Sequence, residues 1–109
     1  MEMRLLRGDE MALFYDRDLD DAFPGAELKP LRVMEDARQT GKYHPWGLFD
    51  GEDLVGGAFT WEYAPGWVLF DYLCVARHRR NDGLGAELIR RLADCERGKV
   101  LFGETEVPD

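Results

Sequence analysis

The 109-residue chain has no stretch approaching the roughly 18 consecutive apolar residues that a membrane-spanning helix needs, and its start, MEMRLLRGDE, has no apolar signal-peptide core. Those absences make the cytoplasm the expected compartment and membrane contact unexpected. Cysteine is scarce: Cys74 lies in an apolar run and Cys95 in a helical pattern, with no CxxC and no histidine spacing suited to zinc. Both read as small buried hydrophobes, and no metal site is expected. Basic charge is outnumbered, with 14 Lys and Arg against 22 Asp and Glu and a net charge of −8. That balance argues against extended contact with a nucleic-acid backbone and favours a cationic or amine-bearing partner. Internal repeats and low-complexity segments are absent, and no GK[ST] triplet occurs, which excludes a Walker phosphate loop.

What is present is the composition of one packed globule: 45% apolar, 12% aromatic and 33% charged residues in both signs, at a length near the common domain size of about 100–150 residues. A single domain over residues 1–109 is expected. MRLLRG reads as a short first strand, and Asp9 as the cap of a helix running to about Asp20. A second helix is expected from Leu31 to Thr40, stopped by Gly41. Residues 43–49 and 53–63 alternate as strands around the hairpin signal Asp50-Gly51, and residues 67–76 form the longest apolar run after a turn at 64–66. Leu84, Leu88, Ile89, Leu92 and Cys95 recur at helical spacing up to Gly98, and KVLFGETEV reads as a last strand parallel to residues 67–76. Trp46, Phe59, Trp61, Tyr63, Trp67, Phe70 and Tyr72 are expected mostly in the core or on a sheet face, with one or two lining a substrate cleft.

The acidic chain concentrates Arg77, His78, Arg79 and Arg80 just before NDGLGA, which leads into the third helix. A helix N-terminus presents unpartnered N–H groups and a partial positive charge, and glycines let a phosphate approach the backbone. A phosphate or pyrophosphate ligand is the sharper reading; a solvated basic loop is the plainer one. GLGAEL carries Leu88 where a Rossmann fingerprint needs its third glycine, although Glu104 lies about 20 residues onward, where a ribose-binding acid belongs. The loop also comes late, with no further βα units after it.

RNDGLG, residues 80–85, following the strand DYLCVA, resembles the [QR]xxGx[GA] signature of the GNAT superfamily of N-acetyltransferases. The resemblance extends to the order of elements, β-α-α-β-β-β-α-β, and implies an α/β (α+β) class with a GNAT-like mixed sheet truncated after the fifth strand. It implies that backbone amides of Arg80, Asn81, Asp82, Gly83, Leu84, Gly85 and Ala86 cradle the pyrophosphate of acetyl-coenzyme A. Leu73, Cys74 and Val75 would pair their backbone with its pantetheine arm, and a free N–H near Leu73 or Cys74 would polarise the acetyl carbonyl for direct amine attack.

A base must deprotonate the attacking ammonium. Asp71, a lone carboxylate in an apolar strand, is the first candidate; its plainer reading is a solvent-facing or ion-paired residue. Glu104 and Glu106 share one side of the last strand, where they bind an amine or keep an edge soluble. His44 and His78 have no visible nucleophile partner, and Asp16, Asp18, Asp20 and Asp21 read as a solvated acidic group. Family members continue into a further helix, often bearing a general-acid Tyr, and a strand pair, none of which matches this chain. The expectation is therefore the coenzyme-binding portion of an acetyltransferase acting on an amine of a small molecule or protein, which either self-associates through the uncovered last strand or gains order there only with coenzyme bound. The alternative is a catalytically silent acyl-coenzyme A binding or interaction domain.

Overall fold

The computed structural model describes residues 1–23 and 25–102. Glu104 and Glu106 lie outside them. β1 (Glu2–Leu5) leads into α1 (Gly8–Phe14), whose cap position is held by Arg7 and not by the expected Asp9. The reason is Glu10, three residues on. Its carboxylate accepts the Arg7 N–H at 2.8 Å and both Arg4 Nη groups at 2.9 and 2.7 Å, tying strand to helix.

From Tyr15 to Leu19 the helix widens into a π turn before ending in the short α2 (Asp20–Ala22). This turn carries Asp18 into the interior, where it is fully buried, against the expectation of a solvated acid. Its carboxylate accepts Arg17 Nε at 2.7 Å and the backbone N–H of Arg77 at 2.9 Å. α3 (Leu31–Gln39) ends as expected, with Gly41 at a φ of 80°.

Three long strands follow: β2 (Tyr43–Asp50), β3 (Asp53–Ala64) and β4 (Trp67–Val75). The sheet order is β1-β2-β3-β4-β5, antiparallel throughout except where β4 meets β5 (Val100–Phe102). One face packs Met11, Phe14, Met34, Phe59 and Tyr72 with α1 and α3; the other packs Leu48, Val55, Ala58 and Leu73 beneath α4 (Leu84–Cys95). Both helices press close. A Cβ on Gly57 would stand 2.8 Å from the Phe14 ring, and one on Gly56 would stand 2.9 Å from Leu88.

The buried stripe of α4 and its C-cap is Leu84, Leu88, Leu92 and Glu96, while Ile89 is half exposed. Glu96 is 2% exposed and accepts Thr60 Oγ1 at 2.7 Å and Lys99 Nζ at 3.2 Å, with His44 Nδ1 at 3.1 Å. Burial works to raise the Glu96 pKa, but these donors outweigh it and hold the carboxyl below its ordinary value. His44 is thus an anchor of the helix end, its Nε2 3.2 Å from the Gly41 carbonyl. Of the aromatics expected in the core or on a sheet face, Phe59 and Tyr72 are buried, and Tyr63 and Trp67 are about half exposed on their strands, edge-on to Phe102 at 5.2 and 6.1 Å.

Candidate functional site

β4 is irregular at its centre. Phe59 and Thr60, adjacent on β3, oppose Tyr72 and Phe70, so Asp71 is an extra residue. A bulge of this kind breaks the alternation of side chains. Asp71 and Tyr72 consequently lie on the α3 side of the sheet, while Phe70 and Leu73 both pack on the α4 side.

Among the described residues β5 pairs only with Trp67–Leu69, which leaves the Phe70–Val75 edge of β4 without a strand partner on that side. The Ala76 N–H is donated to the Val55 carbonyl at 2.9 Å. By alternation Cys74 also turns its backbone toward β3, whereas Leu73 and Val75 direct theirs to the open edge. An extended diamide has the hydrogen-bonding groups to fill such an edge. The Cys74 thiol is packed away, and burial pushes its pKa up to about 11.

The loop from β4 to α4 begins with a single 3-10 turn, Arg77–Arg79, and passes through two left-handed residues, Asn81 at a φ of 75° and Gly83 at 74°. Gly83 occupies the cap position of α4 and no side-chain hydrogen bond caps the helix there. The first amides of a 12-residue helix are therefore left to an outside acceptor. A Cβ built on Gly83 or Gly85 meets nothing within 4 Å. The space beside these glycines is open.

The basic cluster behaves differently from its sequence reading, in which its cations added to those donors. Arg77 and Arg80 reach Asp21 of α2 at 3.8 and 3.3 Å, His78 reaches Asp53 at 2.9 Å, and Arg79 bridges Asp50 and Asp82 at 3.2 and 2.8 Å. Acids of α2 and of the β2–β3 hairpin neutralise the cluster. Arg80 also places Nε 3.4 Å from the Val75 carbonyl, and its buried Nη2 has no hydrogen-bond partner. An anion placed in this loop would meet backbone amides before unpaired cations.

On the α3 side of the bulge lies a cavity of about 510 Å³ whose apolar walls are Val33, Met34, Ala37, Trp61 and Leu69. Asp71 contributes its carboxylate. Tyr43 donates its hydroxyl to Oδ2 at 2.5 Å, and Lys29 Nζ donates to Oδ1. Burial, then the neighbouring Asp71 charge, pushes the Tyr43 phenol well above its ordinary pKa, so it stays a donor. Lys29 was invisible in the sequence as a partner of Asp71, 42 residues away; nothing in the local pattern signals it. The structure thus brings Asp71, Leu73, Val75 and the 80–86 loop to one strand and its following turn, while Glu104 falls outside the described residues. Among the described residues no group of three His, Cys, Asp or Glu side chains converges as metal ligands do, and no helix is long and apolar enough to cross a membrane.

Neither a family model nor a curated protein matches the sequence. Solved structures do match. A protein described as a GNAT-family acetyltransferase from Bacteroides thetaiotaomicron superposes with a TM-score of 0.73 at 17% identity, over 87% of this chain and 55% of that one. The fold is that of the GNAT acetyltransferases. The ribosomal-protein-S18-alanine N-acetyltransferase of Escherichia coli gives a TM-score of 0.67 at 16% identity, over 87% of this chain and 58% of its own. An aminoglycoside acetyltransferase from an uncultured soil sample, solved with sisomicin, gives 0.65 at 14% identity over 99% and 76%. The chain spans little more than half the length of the first two GNAT structures. In the GNAT frame, the mixed sheet and the late strand-loop-helix unit have the order that the RNDGLG motif implied.

Proposed function

We propose that this chain is the coenzyme-binding part of an acetyl-coenzyme A-dependent N-acetyltransferase that acts on a primary amine. The observation that carries the reading is the uncapped, glycine-flanked N-terminus of α4 following directly on a β4 edge that has no strand partner among the described residues. The Gly83–Ala86 amides suit a pyrophosphate, and Leu73 and Val75 suit a pantetheine arm. Bound acetyl-coenzyme A supplies an activated thioester. The chain's own contribution is to hold it on these amides and to offer the Asp71 carboxylate as acceptor for the amine's proton.

A second reading, a domain that binds acyl-coenzyme A without transfer, draws on Asp71 being already engaged by Lys29 and Tyr43. Two measurements separate them. Acetyl-coenzyme A at 100 times its dissociation constant should raise stability by about 2.7 kcal/mol under either reading. Thiol release with a panel of amines should follow only if transfer occurs. Absence of stabilisation overturns both.

A further inference from the structure

Lys29 occupies an ammonium site. Its Nζ lies against Asp71 Oδ1 and 5.3 Å from the centroid of the Tyr72 ring, so the charge has a carboxylate on one side and an aromatic face on another. The carboxylate is prepared for a cation: its side chain is only 10% exposed, and Tyr43 fixes the other oxygen. Lys29 itself is lightly held. Its side chain is 48% exposed, on the segment before α3, so its ammonium can rehydrate once another cation takes its place at Asp71.

The remainder of the cavity is apolar. Lys29, Asp36 and Asp71 are the charged residues of its lining, so with Lys29 displaced two carboxylates and no cation remain. A volume of about 510 Å³ is in the range of small-molecule sites, and walls such as Val33, Met34, Trp61 and Leu69 give a hydroxyl-rich body little to hydrogen-bond and an apolar one a surface to cover.

We infer that Lys29 is a resident stand-in for the acceptor, and that the site takes a primary amine carrying an apolar or aromatic body, whose ammonium displaces Lys29 from Asp71. This rests on the acetyltransferase reading, which makes the cavity beside β4 the acceptor side. The two partners of the ammonium set the preference for charge, and the α3 wall sets the preference for an apolar body. Lys29 excludes cations that bring no apolar body, because they gain nothing over the lysine they replace.

The test is a titration of the 109-residue chain without coenzyme, followed by the Trp61 indole and Lys29 side-chain NMR signals, using 2-phenylethylamine, 2-phenylethanol and spermidine. Phenylethylamine should bind at least tenfold more tightly than the alcohol or spermidine, moving both signals. Lys29→Met should tighten amine binding about fivefold or more, with little effect on the alcohol. Asp71→Asn should abolish the advantage of the amine over the alcohol; Lys29→Met makes the case alone if that variant does not fold. Equal binding of amine and alcohol, or a Lys29→Met chain that binds the amine no better, overturns the inference. Coenzyme affinity is measured separately by calorimetry. Its loss with amine preference intact counts against the acetyltransferase reading, and the converse counts against the ammonium site only.

Discussion

The buried Asp18 carboxylate accepts the backbone N–H of Arg77 at 2.9 Å, joining the π turn after α1 to the first residue of the loop that leads into α4. Asp18 therefore fixes where that loop leaves the sheet. Asp18→Ala leaves the Arg77 N–H and Arg17 Nε without their acceptor, while Arg17 Nη2 keeps the Leu54 carbonyl at 2.6 Å. The expected cost is about 2–3 kcal/mol in urea unfolding, with faster hydrogen exchange at residues 77–83. Unchanged exchange in the loop would contradict the role.

Gly85 separates fold from binding. It lies in the first turn of α4 with open space where a Cβ would stand, so Gly85→Ala should stabilise the helix by about 0.5–1 kcal/mol. Gly85→Asp instead sets a carboxylate beside the amides that would hold a phosphate, and acetyl-coenzyme A affinity should fall at least tenfold, or by about 1.4 kcal/mol. Calorimetry that finds unchanged affinity in Gly85→Asp places the phosphate elsewhere.

Acid should destabilise the chain in a defined window. Glu10 is held at about 2, chiefly by the hydrogen bonds from Arg4, and Glu35 at about 2 by Arg38 and Gln39, while Glu96 also lies below its ordinary value. Because these folded-state values are depressed, their stabilisation is complete above the ordinary value of 4.5 and drains away as pH falls toward 2. Urea midpoints should fall steadily from pH 5 to pH 2.5. Glu10→Gln should start lower at pH 5 and show a shallower decline.

Cys74 is expected to be inert. With its pKa pushed up to about 11 by burial, the thiol should resist iodoacetamide at pH 8 until the protein unfolds. Half-buried Cys95, whose pKa burial also raises, should react first but slowly. Rapid labelling of Cys74 in the folded chain would show that the edge of β4 opens.

The strands, α3, α4 and the glycine turns were legible because each announces itself locally: period-two alternation around Asp50-Gly51, helical spacing from Leu84, and left-handed glycines at 41, 66 and 98. The buried acids were not legible by charge alone, yet both left a trace. Asp18 continues the stripe of Met11 and Phe14, and Glu96 continues that of Leu84, Leu88 and Leu92. A carboxylate on an apolar stripe signals a buried partner, which only the fold identifies, since Arg77 and Thr60 are 59 and 36 residues away. The same distance hid Lys29 from Asp71, and it hid the acids that neutralise the basic loop.

On the proposed function, the first turn of α4 and the Phe70–Val75 edge of β4 together hold acetyl-coenzyme A. A titration followed through the backbone amide signals of the 15N-labelled chain tests it directly. The expected result is a saturable change concentrated at Gly83, Leu84, Gly85 and Ala86 and at Leu73 and Val75, with β1 and β2 unmoved. No saturable change, or changes confined to residues away from that strand and loop, would contradict it.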